Sequence, residues 1–376
     1  MTVITSVGDF RELARRKVPR AIFDYADRGS YEEITIRRNR TDLDALTLRQ
    51  RVMVDASKQT LATTLAGQPS ALPLAIAPTG LSGLFRGNGE IYGARAAAAA
   101  GIPFCLGTLS ILSIEQVRES TEVPFWFQLY MMRDRGFNAD LMARAKAAQC
   151  PVLVLTLDLQ VMGVRRRDAK NGLSVPPRLT LRNALDIATK PGWALGVLTA
   201  KSRAFGNLKP LAGSADLKSL SAWVANQFDP SITWKDVAWV RERWPGKLVL
   251  KGVLDADDAR LAVDQGADAV VVSNHGGRQL DGACSTIAAL PEVVRAVQGR
   301  CEVLLDGGVM SGQDVLKALA LGARGCLIGK AYLYALAAQG QAGVAKAIEI
   351  IGNELKVSLA LTGAIDVKNV SPSILR

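Results

Sequence analysis

Eight short apolar runs of strand length recur along this chain, and most are followed by a stretch of helical pattern. The runs lie at residues 72–77, 103–106, 125–129, 152–157, 247–250, 269–272, 302–305 and 325–328. The helical stretches include residues 89–100, 138–149, 255–265 and 312–321. Because strands that alternate with crossover helices pair in parallel, and eight parallel strands close into a barrel, the pattern predicts an α/β fold, a TIM (β/α)8 barrel. A doubly wound open sheet is the alternative, but the GxGxxG turn that normally follows its first strand is absent after the first run.

The spacing of the runs breaks once, between the fourth and the fifth. There, 88 residues separate Asp158 from Lys247, which is too many for one crossover connection. We therefore expect a long basic insertion after strand 4, over residues 165–233, with a return helix around residues 236–244.

The segment ahead of the first run predicts an N-terminal helical cap at residues 1–70. A helical pattern covers residues 7–25, and Pro19 inside it indicates a helix boundary. The whole chain, residues 1–376, is expected to form one domain, in which the cap precedes a barrel over residues 71–376. Closed α/β barrels commonly need about 250 residues or more, so the length does not require a second domain.

The insertion carries most of the positive charge of the chain. Between Arg165 and Lys218 there are eleven Lys and Arg against three Asp, a net charge of +8 out of +11 for the whole chain. The same segment contains Trp193, Leu195 and other apolar residues, a combination typical of a contact with an anionic membrane surface. An ordinary solvated loop and a nucleic-acid contact are the alternatives. We expect no nucleic-acid partner, because the charge is confined to one segment and has no RNA-binding pattern of aromatic residues and glycines around it.

The cysteines indicate a reducing compartment. All five are widely spaced, and none forms a CxxC pair. The N-terminus lacks the apolar core of a signal peptide, and no apolar run approaches the roughly 18 residues of a bilayer span. We expect a cytoplasmic protein without disulfides or a bound metal, attached peripherally to the inner membrane if the basic segment binds lipid.

Glycine or polar residues follow every apolar run. They are Pro78, Thr79 and Gly80, then Gly107, Gln128, Tyr130, Thr156, Asp158, Lys251, Ser273, His275, Asp306, Gly307, Gly308, Gly329 and Lys330. All strands of a parallel barrel end at one face, and barrel enzymes carry their catalytic groups there. One such residue is commonly just a helix cap, whereas residues at eight strand ends together indicate an active site.

The last two strand ends are candidates for a phosphate site. Gly307 and Gly308 follow the seventh run and Gly329 the eighth, so backbone N–H groups are exposed at both, and Lys330 adds a cation. Barrels often bind phosphate at the loops after these two strands.

The only histidine of the chain, His275, follows the sixth run, and Arg278 lies three residues further on. A lone histidine is commonly a surface or core residue, and without a second one there is no metal cluster. At a barrel strand end, however, an imidazole can remove a proton and a guanidinium can hold a carboxylate through two hydrogen bonds. This pair suggests deprotonation of an acid substrate.

Seven motifs taken together resemble those of one enzyme family. They are residues 23–25 (FDY), 127–130 (FQLY), 156–158 (TLD), 251–252 (KG), 273–281 (SNHGGRQLD), 306–308 (DGG) and 317–323 (KALALGA). The motif at 273–281 is the most specific of them. Almost from end to end, the chain resembles the FMN-dependent L-2-hydroxy acid dehydrogenases and oxidases, which include flavin-type L-lactate dehydrogenase, mandelate dehydrogenase and glycolate oxidase.

The resemblance implies catalytic roles for three residues: His275 as the base, Asp158 as the carboxylate that stabilises its imidazolium, and Lys251 as a cation beside the reduced flavin. It implies four substrate-binding residues, Tyr25, Tyr130, Arg165 and Arg278, of which the two arginines would hold the substrate carboxylate. The proton would come either from the α-carbon, leaving a carbanion, or from the hydroxyl as hydride passes to flavin N5. The residues do not distinguish these two routes.

The cofactor implied by the resemblance is FMN. The residues implied to bind it are Pro78, Thr79, Gly80, Gly107, Gln128, Thr156, Lys251, Ser273, Asp306, Gly307, Gly308, Val309, Met310, Gly329 and Lys330. Among these, Gln128, Thr156 and Ser273 would contact the isoalloxazine ring or the ribityl chain, and the backbone at residues 79–80 would approach N5.

Four positions depart from the pattern of many family members. Met310 and Lys330 stand where arginines are common, so phosphate binding would depend on one lysine and backbone amides, without a bidentate guanidinium. Gly107 replaces a common serine and removes a hydroxyl contact. Gly80 stands where the oxygen-using oxidases usually have alanine, which favours a dehydrogenase with a quinone or cytochrome acceptor.

The expected function is therefore oxidation of a small L-2-hydroxy acid, L-lactate before others, to the 2-oxo acid. The alternatives within the family are an oxygen-using oxidase of the glycolate or lactate type and a mandelate dehydrogenase. More distant alternatives are a non-redox FMN isomerase and a catalytically silent membrane-binding barrel. The substrate side chain is expected to contact Leu109, Met132 and Met162, and a homotetramer is the expected assembly for a member of this family.

Overall fold

The computed structural model describes residues 3–173, 180–208 and 226–376. Two parts of the predicted basic insertion, residues 174–179 and 209–225, lie outside the described residues. Three of its eleven cationic residues, Arg178, Lys209 and Lys218, are among them.

Eight parallel strands form the barrel, and a short antiparallel hairpin precedes them. The hairpin strands are β1 (Thr63–Leu65) and β2 (Gln68–Ser70), and the barrel strands are β3 (Leu74–Ile76), β4 (Cys105–Gly107), β5 (Trp126–Tyr130), β6 (Val152–Thr156), β7 (Lys247–Val253), β8 (Ala269–Val272), β9 (Glu302–Leu305) and β10 (Gly325–Ile328). The order of the strands is β3-β10-β9-β8-β7-β6-β5-β4, and a parallel bridge between Ile76 and Phe104 joins the two edges. The TIM barrel prediction is confirmed.

Three strands, β8, β9 and β10, have the predicted bounds, and two differ in a way that matters for the site. Strand β3 is shorter than the run at 72–77. Strand β7 continues past residue 250 to Val253 through a shift of register, at which Gly252 has a φ of 111°. Lys251, predicted to follow the strand, therefore lies within it.

The core has two layers, which follow from the alternation of side chains along each strand. In β6, Val152 and Val154 belong to the small cluster inside the barrel, whereas Leu153 and Leu155 pack in the large cluster outside it. All five residues of β6 are buried, as expected for a parallel strand that is covered on both faces. The β1–β2 hairpin adds Leu65 to the inner cluster, and the backbone N–H of residue 66 donates to Glu302 at the start of β9, so the hairpin closes the amino-terminal end.

Helices surround the barrel and build the N-terminal cap. They are α1 (Val7–Lys17), α2 (Arg20–Asp27), α3 (Ile34–Ala45), α4 (Ser82–Phe85), α5 (Gly89–Ala99), α6 (Ile114–Arg118), α7 (Arg135–Ala147), α8 (Arg166–Lys170), α9 (Leu181–Ala188), α10 (Pro191–Leu198), α11 (Trp234–Arg243), α12 (Ala256–Asp264), α13 (Thr286–Val297), α14 (Gly312–Ala320) and α15 (Lys330–Thr362). The cap is divided at Pro19 as predicted, because proline cannot continue a helix and favours extended backbone before it. The return helix predicted at 236–244 is α11.

The described parts of the insertion lie against the cap and the loop after β3. The Asn171 amide donates to Asp24 on α2 at 2.8 Å, and the Trp193 indole on α10 donates to the Leu84 carbonyl on α4 at 2.6 Å. The insertion thus covers the carboxyl face of the barrel. In the described ranges, none of the helices combines the length and the apolar character that crossing a membrane requires.

Candidate active site

A cavity of about 450 Å³ lies at the carboxyl ends of the barrel strands, and residues from all eight strand ends line it. Eighteen of the 21 predicted site residues contribute to this lining. The three others, Thr156, Asp158 and Ser273, lie directly behind it, where they contact lining residues.

His275 and Asp158 form the best defined polar pair of the pocket. Nδ1 of His275 lies 2.9 Å from Oδ1 of Asp158, and the His275 backbone N–H donates to the hydroxyl of Ser273 at 3.1 Å. The aspartate can approach because residue 252 has no side chain: a Cβ there would lie 2.8 Å from the Asp158 side chain. His275 itself has a φ of 58°, the left-handed region, which the flanking Gly276 and Gly277 share.

The surroundings of His275 determine its protonation. Burial lowers its pKa from the ordinary value, and Asp158 opposes this only in part. Burial by itself would raise the pKa of Asp158, but the attraction of His275 and of Lys251 outweighs it, so the pKa of this carboxyl lies below its usual value. At neutral pH the site therefore holds a carboxylate and a neutral imidazole that can accept a proton.

Lys251 is a buried ammonium in the pocket floor. Its Nζ lies 3.0 Å from Oδ2 of Asp306 and donates to the Ser273 hydroxyl at 2.9 Å. Burial opposes its charge, but Asp306 and Asp158 outweigh burial and raise the pKa of Lys251. A permanent positive charge therefore faces the cavity from strand β7.

The wall on the β5 side is built around Gln128. Its side-chain N–H donates to the Thr156 hydroxyl at 3.0 Å, and its carbonyl accepts from the backbone N–H of Thr108 at 3.2 Å. The strand register brings these groups together, because Gln128 is paired with Gly107, and Tyr130 with Thr156. Thr156, predicted to contact the cofactor, thus contacts the Gln128 side chain and orients it.

Two guanidinium groups lie side by side at the rim. The Arg278 guanidinium donates to the carbonyls of Tyr25 and Arg28, and it lies 4.5 Å from the centre of the Tyr25 ring. The backbone carbonyl of Arg278 accepts a hydrogen bond from Nε of Arg165 at 3.3 Å. Nη2 of Arg278 is buried and has no hydrogen-bond partner among the described residues. Burial, and then the charge of Arg278, lower the pKa of Arg165 to about 10, so Arg165 stays cationic at neutral pH. The pair can hold one carboxylate.

Asp168 is a pocket residue that the sequence reasoning missed. It lines the cavity from helix α8, it is buried, and its Oδ2 lies 3.8 Å from Nη2 of Arg278. Burial raises its pKa above the usual value. The available signal was a lone acid directly after three consecutive arginines, although a surface helix would show the same pattern.

Of the three residues predicted to contact the substrate side chain, two line the cavity and one does not. Leu109 and Met162 line the cavity. Met132 does not: it is fully buried in the core, where its backbone pairs with Phe228 in an antiparallel bridge. Phe228 from the return segment lines the cavity instead, a contact that only the path of the insertion creates.

The loops after β9 and β10 form the far end of the cavity. Gly307 and Gly308 have φ values of 93° and 92°, and a Cβ on Gly308 would lie 2.6 Å from the Asn39 carbonyl oxygen. Lys330 lines this end, and its ammonium donates to the carbonyls of Ala26 at 2.9 Å and Asp27 at 3.2 Å. Burial, and then the charge of Arg278, lower the pKa of Lys330 to about 7.

The cavity fits an FMN molecule in three respects. Its volume lies within the usual range for cofactor pockets, roughly 300–1,000 Å³. Glycine backbone lines the end at residues 307–308 and 329, where an anion can be approached closely. Lys251 offers a buried cation, and Oδ1 of Asp306 is a buried acceptor that has no partner among the described residues.

Comparisons with known proteins agree with this geometry. A family model described as FMN-dependent dehydrogenase matches residues 14–376. The L-lactate dehydrogenase of Caulobacter vibrioides (strain NA1000 / CB15N) is 52% identical over 376 residues, covering 99% of this chain and 98% of the relative. The L-lactate dehydrogenase of Pseudomonas syringae pv. syringae (strain B728a) is 47% identical over 375 residues, covering 99% of this chain and 98% of the relative.

Solved structures give the same result. The crystal structure of the monotopic membrane protein (S)-mandelate dehydrogenase has a TM-score of 0.95 and 35% identity, and each chain is covered to 100%. That of mandelate oxidase has a TM-score of 0.85 and 38% identity, covering 100% of this chain and 98% of the other. The match over nearly the whole length, together with the pocket at the carboxyl ends of the strands, shows that this chain is an enzyme of the FMN-dependent dehydrogenase family.

Proposed function

We propose that this enzyme oxidises a small L-2-hydroxy acid, with L-lactate as the first candidate, to the corresponding 2-oxo acid. One observation carries the proposal: His275, with Asp158 behind it, faces the same cavity as the Arg165–Arg278 pair. A base that is neutral at pH 7 and a cationic clamp are the groups that an α-hydroxy carboxylate requires. The full-length relatives named L-lactate dehydrogenase support the same substrate.

The roles follow from the geometry of each group. Arg165 and Arg278 would bind the substrate carboxylate, and the buried Nη2 of Arg278, which lacks a hydrogen-bond partner among the described residues, supports this. Tyr25 and Tyr130 line the same part of the cavity and would hydrogen-bond the substrate. Holding the carboxylate orients the α-carbon, and such positioning alone can contribute several kcal/mol, up to roughly 7–11 kcal/mol, to the lowering of a barrier.

His275 would remove the substrate proton at Nε2, because its Nδ1 is engaged by Asp158. The Asp158 carboxylate would stabilise the imidazolium that results and keep the ring in place. Bound FMN supplies the two-electron oxidation. Lys251 would hold positive charge at the pocket floor, where negative charge develops, and Asp306 keeps its ammonium oriented.

The residues proposed to hold FMN are those of the sequence prediction that line the cavity. They are Pro78, Thr79, Gly80, Gly107, Gln128, Lys251, Asp306, Gly307, Gly308, Val309, Met310, Gly329 and Lys330. Thr156 and Ser273 would act through their hydrogen bonds to Gln128 and Lys251.

The decisive experiment is anaerobic reduction of the bound flavin by candidate substrates. L-lactate is expected to bleach the yellow protein, whereas D-lactate leaves it coloured, because the clamp and the base together select one face of the α-carbon. A colourless protein, or one whose flavin no 2-hydroxy acid reduces, would overturn the proposal.

(S)-Mandelate is a second candidate substrate, and two observations favour it. Solved structures of a mandelate dehydrogenase and a mandelate oxidase superpose on the whole chain. The cavity also has an apolar side, with Leu109, Met162 and Phe228, which can accommodate a larger side chain than a methyl group. Comparing the bleaching rates with L-lactate and (S)-mandelate at equal concentrations decides between the two.

We also propose that the insertion attaches the enzyme to the inner membrane from the cytoplasmic side, where a quinone, or a cytochrome, receives the electrons. Four leucines on α9 and α10, here called the leucine surface, are 59–78% exposed: Leu181, Leu185, Leu195 and Leu198. Arg182, Lys201 and Arg203 are exposed nearby in the chain. Apolar side chains together with cations suit a bilayer with anionic lipids. The relative described as a monotopic membrane protein supports this attachment.

Sedimentation with lipid vesicles tests the attachment. Replacing the four leucines of the leucine surface by serine is expected to abolish binding to anionic vesicles, and neutral vesicles should bind less protein. The double variant Val357→Ser/Leu361→Ser is a matched control, because both residues are exposed on α15, which is not part of the insertion. Equal binding by both variants would overturn the attachment.

Two coarser proposals complete the description. Residues 1–376 act as one domain, consisting of the cap at 1–70 and the barrel at 71–376 with its excursion at 165–233. Four copies assemble into a homotetramer, as the family resemblance implies. Light scattering during size-exclusion chromatography in detergent measures the mass of the assembly, and a monomeric mass would overturn the tetramer.

A further inference from the structure

The C-terminal end of helix α2 is held by cations from the pocket. Arg28 N–H donates to the Asp24 carbonyl, which leaves the carbonyls of Tyr25, Ala26 and Asp27 without a partner from within the helix. Arg278 donates to the first of these, and Lys330 donates to the other two. No basic residue lies in the last turn of α2 itself. The capping charges therefore come from the ends of β8 and β10.

Lys330 is placed to contact two partners at once. Its ammonium has three N–H donors, of which the carbonyls of Ala26 and Asp27 use two. The residue also lines the cavity beside the glycine loop at 307–308, so the third donor is available at the end proposed to hold phosphate. Helix α2 carries Tyr25, which lines the cavity on the substrate side.

Among the residues that the structure describes, no carboxylate is in contact with the Lys330 ammonium. The groups that act on it are Arg278 and Arg11, which disfavour its charge, and Asp27, Glu33 and Asp168, which favour it. The Asp27 carboxylate is occupied by Arg11 at 2.6 and 2.9 Å and by the Tyr334 hydroxyl at 2.8 Å. Lys330 is thus a buried cation paired with carbonyl dipoles, and a bound anion would complete its environment.

We propose that Lys330 couples FMN binding to the docking of helix α2, its ammonium bridging the cofactor phosphate and the carbonyls of Ala26 and Asp27. This inference rests on the proposed FMN site. Two consequences follow. FMN binding takes up a proton at Lys330 above neutral pH, and it stabilises the helix that carries Tyr25.

The direction of the pH dependence follows from linkage. Without an anion the pKa of Lys330 is about 7, and a phosphate in contact raises it. Below pH 7 the lysine is already charged, so binding needs no proton. Above pH 7 it must be protonated on binding, so FMN affinity falls by up to about tenfold per pH unit. The second pKa of a phosphate monoester is about 6, so the ligand charge is nearly constant from pH 7 to 9.

Equilibrium binding of FMN and of riboflavin to the full-length chain tests the first consequence. Riboflavin lacks the phosphate, so the ratio of the FMN affinity to the riboflavin affinity reports the contribution of the phosphate alone. Titration of His275 affects both affinities and cancels in this ratio. The ratio is expected to fall between pH 7 and 9 in the wild type. Lys330→Arg should keep a high ratio without the pH dependence, because guanidinium stays charged. Lys330→Met should lower the ratio by tenfold or more, and riboflavin binding retained by the variant shows that its flavin site is folded.

If Lys330→Met has the same affinity ratio as the wild type, with the same pH dependence, the inference is overturned, because the phosphate would then be held by the backbone alone.

Hydrogen exchange of the amides at residues 20–28 tests the second consequence. FMN is expected to protect these amides more than riboflavin does in the wild type and equally in Lys330→Met. Equal protection in the wild type would overturn the coupling. Neither readout needs turnover, so these outcomes are separate from the L-lactate test; a chain that binds neither flavin would instead overturn the proposed function.

Discussion

The two ends of the pocket handle charge differently. At the catalytic end, which comprises the carboxyl ends of β6 to β8, the neutral imidazole of His275 is paired with Asp158, and the ammonium cation of Lys251 is paired with Asp306. At the glycine end, which comprises the loops after β9 and β10, the one cation among the lining residues is Lys330, and backbone carbonyls are its partners. A cation paired with a carboxylate keeps its protonation state when a ligand binds or leaves. The protonation state of a cation paired with backbone dipoles depends on which ligand is bound. The protonation state of Lys251 at the catalytic end is thus fixed before a ligand binds, whereas that of Lys330 at the glycine end depends on the ligand.

The largest expected effect is the loss of the base at the catalytic end. Replacing His275 by Gln removes the proton acceptor, so the rate of anaerobic flavin reduction by L-lactate should fall by about 10²- to 10⁴-fold. Stopped-flow absorbance measures this rate, and the FMN content of the variant verifies that the cofactor site is intact. A rate within a few-fold of the wild type would show that another group removes the proton.

Removing the charge of Asp158 should have the next largest effect. In Asp158→Asn the imidazolium loses its carboxylate, and we expect kcat to fall by about 10- to 100-fold. Asp158 raises the pKa of His275, so its loss should move the acid limb of the kcat/KM profile to lower pH. Asp257→Asn, at an exposed aspartate on α12, is the control and should leave the profile unchanged. If the acid limb of the profile does not move, Asp158 does not influence the pKa of the catalytic base.

The arginine pair lies between the two ends, and a conservative substitution there should affect binding more than turnover. Arg278→Lys keeps the charge but loses the fork of donors, so KM for L-lactate should rise by about 10- to 100-fold, as expected for a lost charge-assisted hydrogen bond. Steady-state kinetics measures it. Arg166→Lys is the matched control, since Arg166 is exposed and paired with Glu32 outside the cavity. A change confined to kcat would contradict the clamp.

The glycine end requires residues without a side chain, and replacing one of them should lower the free energy of unfolding. Gly308→Ala places a Cβ 2.6 Å from the Asn39 carbonyl oxygen at a φ of 92°, and we expect a loss of about 2–4 kcal/mol in the free energy of unfolding. Gly299→Ala is the control: its φ is 72°, but no atom of the described part of the chain lies within 4 Å of the added Cβ, so a loss of about 1 kcal/mol is expected. Denaturant titration measures both. Equal losses would show that the loop after β9 relaxes around the new methyl group.

Much of the fold could be predicted because its signals are local. The bounds of β8, β9 and β10 follow from apolar runs that end at glycine or polar residues, and Pro19 divides the cap because its ring cannot continue a helix. The ring of site residues was equally accessible, since parallel strands must all end at one face. The bulge at Gly252, which puts Lys251 inside β7, has no such local signal, because it depends on the pairing with β8.

The chemistry of the pocket was encoded locally, and its electrostatics were decided by packing. The residue types at the strand ends already indicated a base, a carboxylate clamp and a phosphate loop, because each type carries its chemistry wherever it lies. Which charges pair, that Phe228 replaces Met132 in the wall, that Asp168 faces Arg278, and that Lys330 caps helix α2 all depend on contacts between segments far apart in the chain. Such contacts depend on how the whole barrel, cap and insertion pack, and no short stretch of residues carries that information.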